Sequence, residues 1–200
     1  MTPNARWRLI LLAGLLLVRF GYELIDQPAY VVATYVLAYV FFRRTITRQE
    51  FPQYNMTRLT LNGTAIAVSV AVVLSLINCS CEILFRGRIP KDIVVLLFGI
   101  PFGFLVQFVL NALPEELFFR GILWGECRRI KLSNLSILCI QAILFWGAHY
   151  FYYDNPFNWV RVMISGLIFG IVAWRTRSIL ASSILHAMFN TNGDFFKPMM

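Results

Sequence analysis

Long apolar runs separated by short charged turns dominate the pattern of this chain. Seven spans can be drawn, at about 7–25, 28–42, 61–85, 92–128, 133–151, 157–174 and 178–195. Most approach the ~20 residues that an α-helix needs to cross a bilayer. In the first span Arg6 and Arg8 precede the apolar stretch, as they would in a signal peptide. The flank after Val18 is Arg-Phe-Gly-Tyr-Glu, without a small-x-small cleavage site, so a retained helix is expected. The second span opens at Pro28, a good helix-start residue, and closes at Arg43-Arg44. The fourth is too long for one crossing. From Asp92 to Cys127 a helix would run roughly 54 Å at 1.5 Å per residue, against a hydrocarbon core of about 30 Å. Pro101 and Pro114 lie inside it, and each removes a backbone donor. A kinked or broken fourth helix is expected, with Glu115 and Glu116 opening the part after Pro114.

Composition decides what solvent these runs face. Of 200 residues, 58% are hydrophobic and 14% charged, against roughly 25% charged in soluble domains. Mean hydropathy is +0.67. One soluble core of this size cannot hide so many apolar residues, so the expected fold is all-α, a polytopic transmembrane helix bundle of about seven spans. Residues 1–90 carry no motif, and residues 91–200 hold every candidate for chemistry. The net charge of +8 sits in the turns, where membrane topology explains it and no nucleic-acid partner is needed. Arg43, Arg44, Arg48 and Arg58 share one turn, Arg128, Arg129 and Lys131 another, and Arg175 and Arg177 a third. The alternating turns carry Glu23, Asp26 and Asp154. Positive-inside counting places the N-terminus in the cytoplasm of a multi-pass protein of the cell membrane, with Arg86, Arg88 and Lys91 against the pattern. Cys79, Cys81, Cys127 and Cys139 form no CxxC pair and are read as free thiols.

Against this background the stretch "NALPEELFFRGILWGE", residues 111–126, is out of character. Glu116 and Arg120 are four apart and can meet as an intrahelical ion pair, a structural staple. Glu115 points about 100° away and has phenylalanines at i+3 and i+4. An ionisable group in a membrane segment costs on the order of 2.5–3.5 kcal/mol and is a functional candidate by default. Its partners should come from other helices. The chain has two histidines, and both fall in apolar spans. His149 ends "FWGAH", one turn after Phe145 and on the same face; His186 opens "HAMFN", one turn before Asn190. Either histidine alone is as readily a hydrogen-bonding glue between helices. Together, a carboxylate, two imidazoles and an amide suffice to activate water and stabilise an oxyanion. Taking helix ends at Cys127, Ser133 and Ser178, the rise per residue puts Glu115 and Asn190 about 18 Å deep, His149 about 24 Å and His186 about 12 Å. Gly166 and Gly170, four apart in the sixth span, suit close helix packing.

"EELFFR", "FWGAH" and "HAMFN" resemble, in this order, the motifs EExxxR, FxxxH and HxxxN of the CPBP family of intramembrane proteases. That family includes the type II CAAX prenyl endopeptidases and the bacteriocin-processing and self-immunity proteins labelled Abi. The resemblance runs from about 92 to 192. It implies an intramembrane endopeptidase that hydrolyses a peptide bond in a hydrophobic, prenylated or membrane-embedded peptide or protein. Glu115 and His149 would activate water, and His186 and Asn190 would stabilise the oxyanion. Glu116 would be held by Arg120, and Phe145 would pack beside His149. The resemblance leaves a divalent metal such as zinc open, with Glu115, His149 and His186 as its ligands; no HExxH occurs. Membrane lipid is the surrounding partner. The alternative of a different class is a non-catalytic membrane scaffold or self-immunity protein of the same fold. A transporter would be expected to show paired repeats with broken helices in both halves, and the first 90 residues have no counterpart to "PEELFFR".

Overall fold

The computed structural model describes residues 62–73, 100–149 and 156–195, with Trp7, residues 10–14 and Leu17 near the N-terminus. Every regular element among these residues is helical, and no strand occurs among them. Asn62–Val73 forms α1. A second helical run, α2, extends from Ile100 to Arg129, followed by α3 (Asn134–Gly147), α4 (Pro156–Thr176) and α5 (Ile179–Phe195). The second expected span, most of the first, and the turns at 43–58 and 86–91 lie outside the described residues. The last three helices begin and end within a few residues of the expected spans. Among the described stretches of unbroken α-helical register, α4 alone is long and apolar enough to cross a membrane by itself; α1, α3 and the part of α5 from Ile179 to Thr191 are shorter apolar helices.

Along α2 the hydrogen-bond register changes several times. Ile100–Val106 is α-helical, Gln107–Ala112 is a π-helix, Leu113–Glu116 returns to α, Leu117–Leu123 is again π, and Trp124–Arg129 is α. The first change has a local cause. Pro114 has no N–H for the carbonyl four residues earlier, and its ring crowds that carbonyl. The turn widens just before it, and Leu113 N–H reaches back five residues to Phe108 O.

The joints between helices are built from backbone geometry. After α2, Lys131 takes a left-handed conformation (φ 65°). Its N–H bonds to Arg128 O at 2.9 Å, and Leu132 N–H bonds to Cys127 O at 3.1 Å. This pair of bonds is a Schellman closure. Ser133 then caps α3, its hydroxyl accepting from Ser136 N–H at 3.1 Å. Between α4 and α5, Arg177 is also left-handed (φ 54°), and Ser178 Oγ accepts from Ala181 N–H at 3.2 Å.

The described chain forms two compact units, one of Met1–Gln53 with Leu117–Ile171 and the other of Tyr54–Glu116 with Val172–Met200. In the first, Leu117 to Cys127 is buried on all sides, and α3 packs on α4 through Phe145 and Phe169. The two glycines expected to permit close packing do so. A Cβ on Gly166 would sit 3.0 Å from the Phe145 ring, and one on Gly170 would overlap the Gln141 amide and meet Leu138 at 2.7 Å. In the second unit α5 packs along the Ile100–Glu116 part of α2.

The distribution of polarity is inverted relative to a soluble protein. Glu116, Arg120, Gln141, Ser178, Ser182 and Ser183 have no exposed surface. Leu135, Ile143, Val160, Met163 and Ile164 are 45–66% exposed. In water this would waste apolar area and bury costly polar groups. With lipid as the outer solvent both features are favourable.

Candidate functional site

Polar side chains that the sequence marks out gather in each unit, and each gathering has its own geometry. In the second unit the centre is Glu116. Its Oε1 lies 2.9 Å from His186 Nδ1, and its Oε2 accepts the Ser182 hydroxyl in a short hydrogen bond. Ser182 and His186 are four apart on α5, so both face the same side and grip the two oxygens of one carboxylate. Glu116 and Ser182 are fully buried and His186 is 2% exposed. An ionised carboxylate is an acceptor, so Nδ1 carries the proton and donates it. His186 Nε2 is then the nitrogen left for chemistry, and it points toward Glu115, whose Oε2 is 3.9 Å away. Glu115 is the more accessible carboxylate, its side chain 14% exposed. Adjacency in sequence thus gives the two carboxylates different surroundings, because a helical residue and its neighbour point about 100° apart.

One turn beyond His186, Asn190 Nδ2 lies 3.4 Å from Gln107 Oε1. The same Gln107 oxygen accepts from Asn111 Nδ2 at 2.7 Å. Gln107 opens the first π-helical stretch, so the widened turn carries the acceptor for the motif asparagine.

The first unit holds Arg120, Phe145 and His149. Arg120 is fully buried, and its Nη2 donates to Gly166 O at 2.7 Å. The guanidinium carbon lies 4.8 Å from the Phe145 ring centroid, 5.7 Å from Phe169 and 5.9 Å from Phe119. Phe119 and Phe169 each meet Phe145 edge-on. A buried cation is thereby surrounded by aromatic faces, an environment that attracts it electrostatically where water is absent. Gly166 O also accepts from Gln141 Nε2 at 3.2 Å, and Gln141 Nε2 contacts Leu138 O at the same distance. Glycine leaves that carbonyl open to sideways approach, because no Cβ stands beside it.

Phe145 serves two neighbours. Its ring lies under Arg120 and 4.6 Å from the His149 imidazole. Its carbonyl is 2.7 Å from His149 Nδ1. A carbonyl only accepts, so Nδ1 carries the proton and the neutral ring keeps its lone pair on Nε2. The shared helix face expected from the FxxxH spacing is present, with a backbone hydrogen bond in addition.

Ser182, Gln107, Gln141 and Asn111 were not singled out in the sequence. A signal existed: each is a polar residue within an apolar span, which is a reason to look for a buried partner. Among the described residues no group of three His, Cys, Asp or Glu side chains stands where it could hold a metal ion. Cys127 is buried, Cys139 is exposed, and both are free thiols.

Buried carboxylate–imidazole pairs within apolar helices belong to the class of functional sites built inside membrane helices. The comparison with known families agrees with that class: residues 97–192 match the family model described as type II CAAX prenyl endopeptidase Rce1-like. This is the family to which the three motifs point, and the matched segment contains all of them. No curated protein and no solved structure matches the chain.

Proposed function

We propose that this chain is an intramembrane endopeptidase acting on hydrophobic, prenylated or membrane-embedded peptides. The observation that carries the reading is the buried Ser182–Glu116–His186 arrangement, with His186 Nε2 facing the more accessible Glu115. The Rce1-like match supports the same substrate class, a lipid-modified C-terminal peptide.

The chemistry follows from which atoms carry protons. Glu115 takes a proton from the attacking water as its oxygen bonds to the scissile carbonyl carbon. His149, whose Nδ1–H is engaged by Phe145 O, keeps Nε2 as an acceptor for water. Negative charge develops on the carbonyl oxygen. Asn190 Nδ2–H donates to it, and His186 joins in the part of the cycle in which Nε2, bare in the resting chain, has taken a second proton from solvent, with Nδ1–H held on Glu116 throughout. Collapse of the tetrahedral intermediate breaks the C–N bond, and the proton held by Glu115 passes to the departing amine. General-base catalysis of this kind contributes ~10²–10⁴ in rate, and preorganised donors add ~10²–10³ per donor. The part of a metal is open. No step here is routed through a metal.

The test is cleavage by the purified full chain, in detergent and in liposomes, of a peptide library with and without a prenylated cysteine. Products are read by mass spectrometry, with and without a chelator. Cleavage concentrated in the prenylated set is the expected result. Cleavage of neither set, by protein shown to be folded, would shift the account to a scaffold or self-immunity role.

A further inference from the structure

Ser182 lies outside the three motifs, yet it makes one of the closest polar contacts among the described residues. Its hydroxyl donates to Glu116 Oε2 while His186 Nδ1–H donates to Glu116 Oε1. Both Ser182 and Glu116 are fully buried, so the hydroxyl is held away from bulk solvent. A carboxylate held at both oxygens cannot rotate, and its Oε1 stays in line with the imidazole. His186 is the titratable group bonded to this carboxylate, Glu115 faces the other nitrogen of the same ring, and Arg120 follows one turn later in the same helical run. The neighbouring Ser183 is an internal control. It is equally buried, but its hydroxyl bonds to Ile179 O at 2.8 Å within its own helix.

We infer that Ser182 is a positioning residue: its hydroxyl locks Glu116 so that His186 keeps its proton on Nδ1 and presents Nε2 to Glu115. The inference rests on the proteolytic reading only for its kinetic consequence; the proton's location is a property of the folded chain. Without the hydroxyl, Glu116 Oε2 loses that buried donor and the carboxylate is free to turn. The turn moves Oε1 out of line and releases His186 Nδ1 from its acceptor. The ring is then free to carry its proton on Nε2.

The chain's two histidines make this measurable. In a His149→Gln background, used for spectroscopy alone, ring-nitrogen NMR of histidine-labelled full-length protein in liposomes reports His186 by itself. For the neutral ring the expected spectrum is Nδ1–H. Ser182→Ala is expected to make Nε2–H the larger population, whereas Ser182→Thr and Ser183→Ala keep Nδ1–H. Should Ser182→Ala fail to fold, Ser182→Cys retains a weak donor and is expected to give an intermediate ratio. An Nε2–H ring with Ser182 intact overturns the inference, as does an unchanged ratio in folded Ser182→Ala or in Ser182→Cys. With the motif histidines present, Ser182→Ala should lower kcat on the order of tenfold with KM unchanged, the weight of one hydrogen bond to a charged group. Ser183→Ala should leave both unchanged. Absence of cleavage by the wild type, with the shift in proton location intact, overturns the proteolytic reading alone.

Discussion

Gly170→Ala is expected to destabilise the protein, against the usual benefit of replacing glycine in a helix. Alanine in place of glycine gains ~1 kcal/mol of helix propensity. The new methyl would overlap the Gln141 amide and lie 2.7 Å from Leu138 Cδ1. Gln141 cannot swing aside at no cost, because Nε2 is held at 3.2 Å by both Gly166 O and Leu138 O. Displacing it forfeits a buried hydrogen bond, ~1–3 kcal/mol, and the overpacking adds ~1–3 kcal/mol. The sum less the propensity gain is a net loss of ~1–5 kcal/mol. Gly166→Ala should cost less, since its methyl meets only the edge of the Phe145 ring at 3.0 Å. At Gly103 the methyl would touch Thr191 at an ordinary 3.5 Å, so alanine there should be neutral or stabilising. Thermal unfolding of the three variants in detergent, followed by far-UV circular dichroism, gives the order directly. Wild-type or higher stability for Gly170→Ala would refute the proposed closeness of α3 and α4. Gln141→Ala combined with Gly170→Ala should cost less than the two changes summed, because the first removes the group the second strikes.

Two further outcomes follow from local geometry. Lys131→Gly should raise stability by ~0.5–1 kcal/mol with cleavage unchanged, because glycine removes the left-handed strain at a helix end that already has Schellman bonds; an unfolding curve in detergent checks it. Arg120→Lys should destabilise by ~2 kcal/mol and lower activity, since an ammonium group cannot lie flat among Phe119, Phe145 and Phe169 while reaching Gly166 O. The same unfolding assay, together with peptide cleavage, reads both effects.

How much of this was legible in the sequence differs between the fold and the site. Helix positions were legible because apolar runs and charged turns delimit them. The ends of α3, α4 and α5 fall close to the expected spans for that reason. Spacing also tells which residues share one helix face, and Phe145 with His149 and Ser182 with His186 follow that rule. What spacing cannot tell is which face meets which. Glu116 has a cation four residues on, and the sequence pointed to Arg120 as its natural partner. Its bonds to Ser182 and His186 join residues sixty-six and seventy positions apart, a separation that only folding closes and that no local spacing announces. The π-helical stretches were not legible either. Pro114 predicted a disturbance of the backbone, but a helix can kink, break or widen its register, and packing decides among these. Gln107 was overlooked because an amide in an apolar run identifies itself as a candidate only when its acceptor role toward Asn111 and Asn190 is in view.

The central claim is a division of labour between neighbouring carboxylates, Glu115 for water and Glu116 for the histidine. The measurement that tests it most directly is cleavage of a susceptible peptide by folded Glu115→Gln beside wild type, with circular dichroism and an unfolding curve on each. The account predicts a wild-type fold, with stability little changed, and a loss of turnover of ~10²-fold or more. Turnover equal to wild type in a folded Glu115→Gln protein would contradict it, and would remove Glu115 from the reaction.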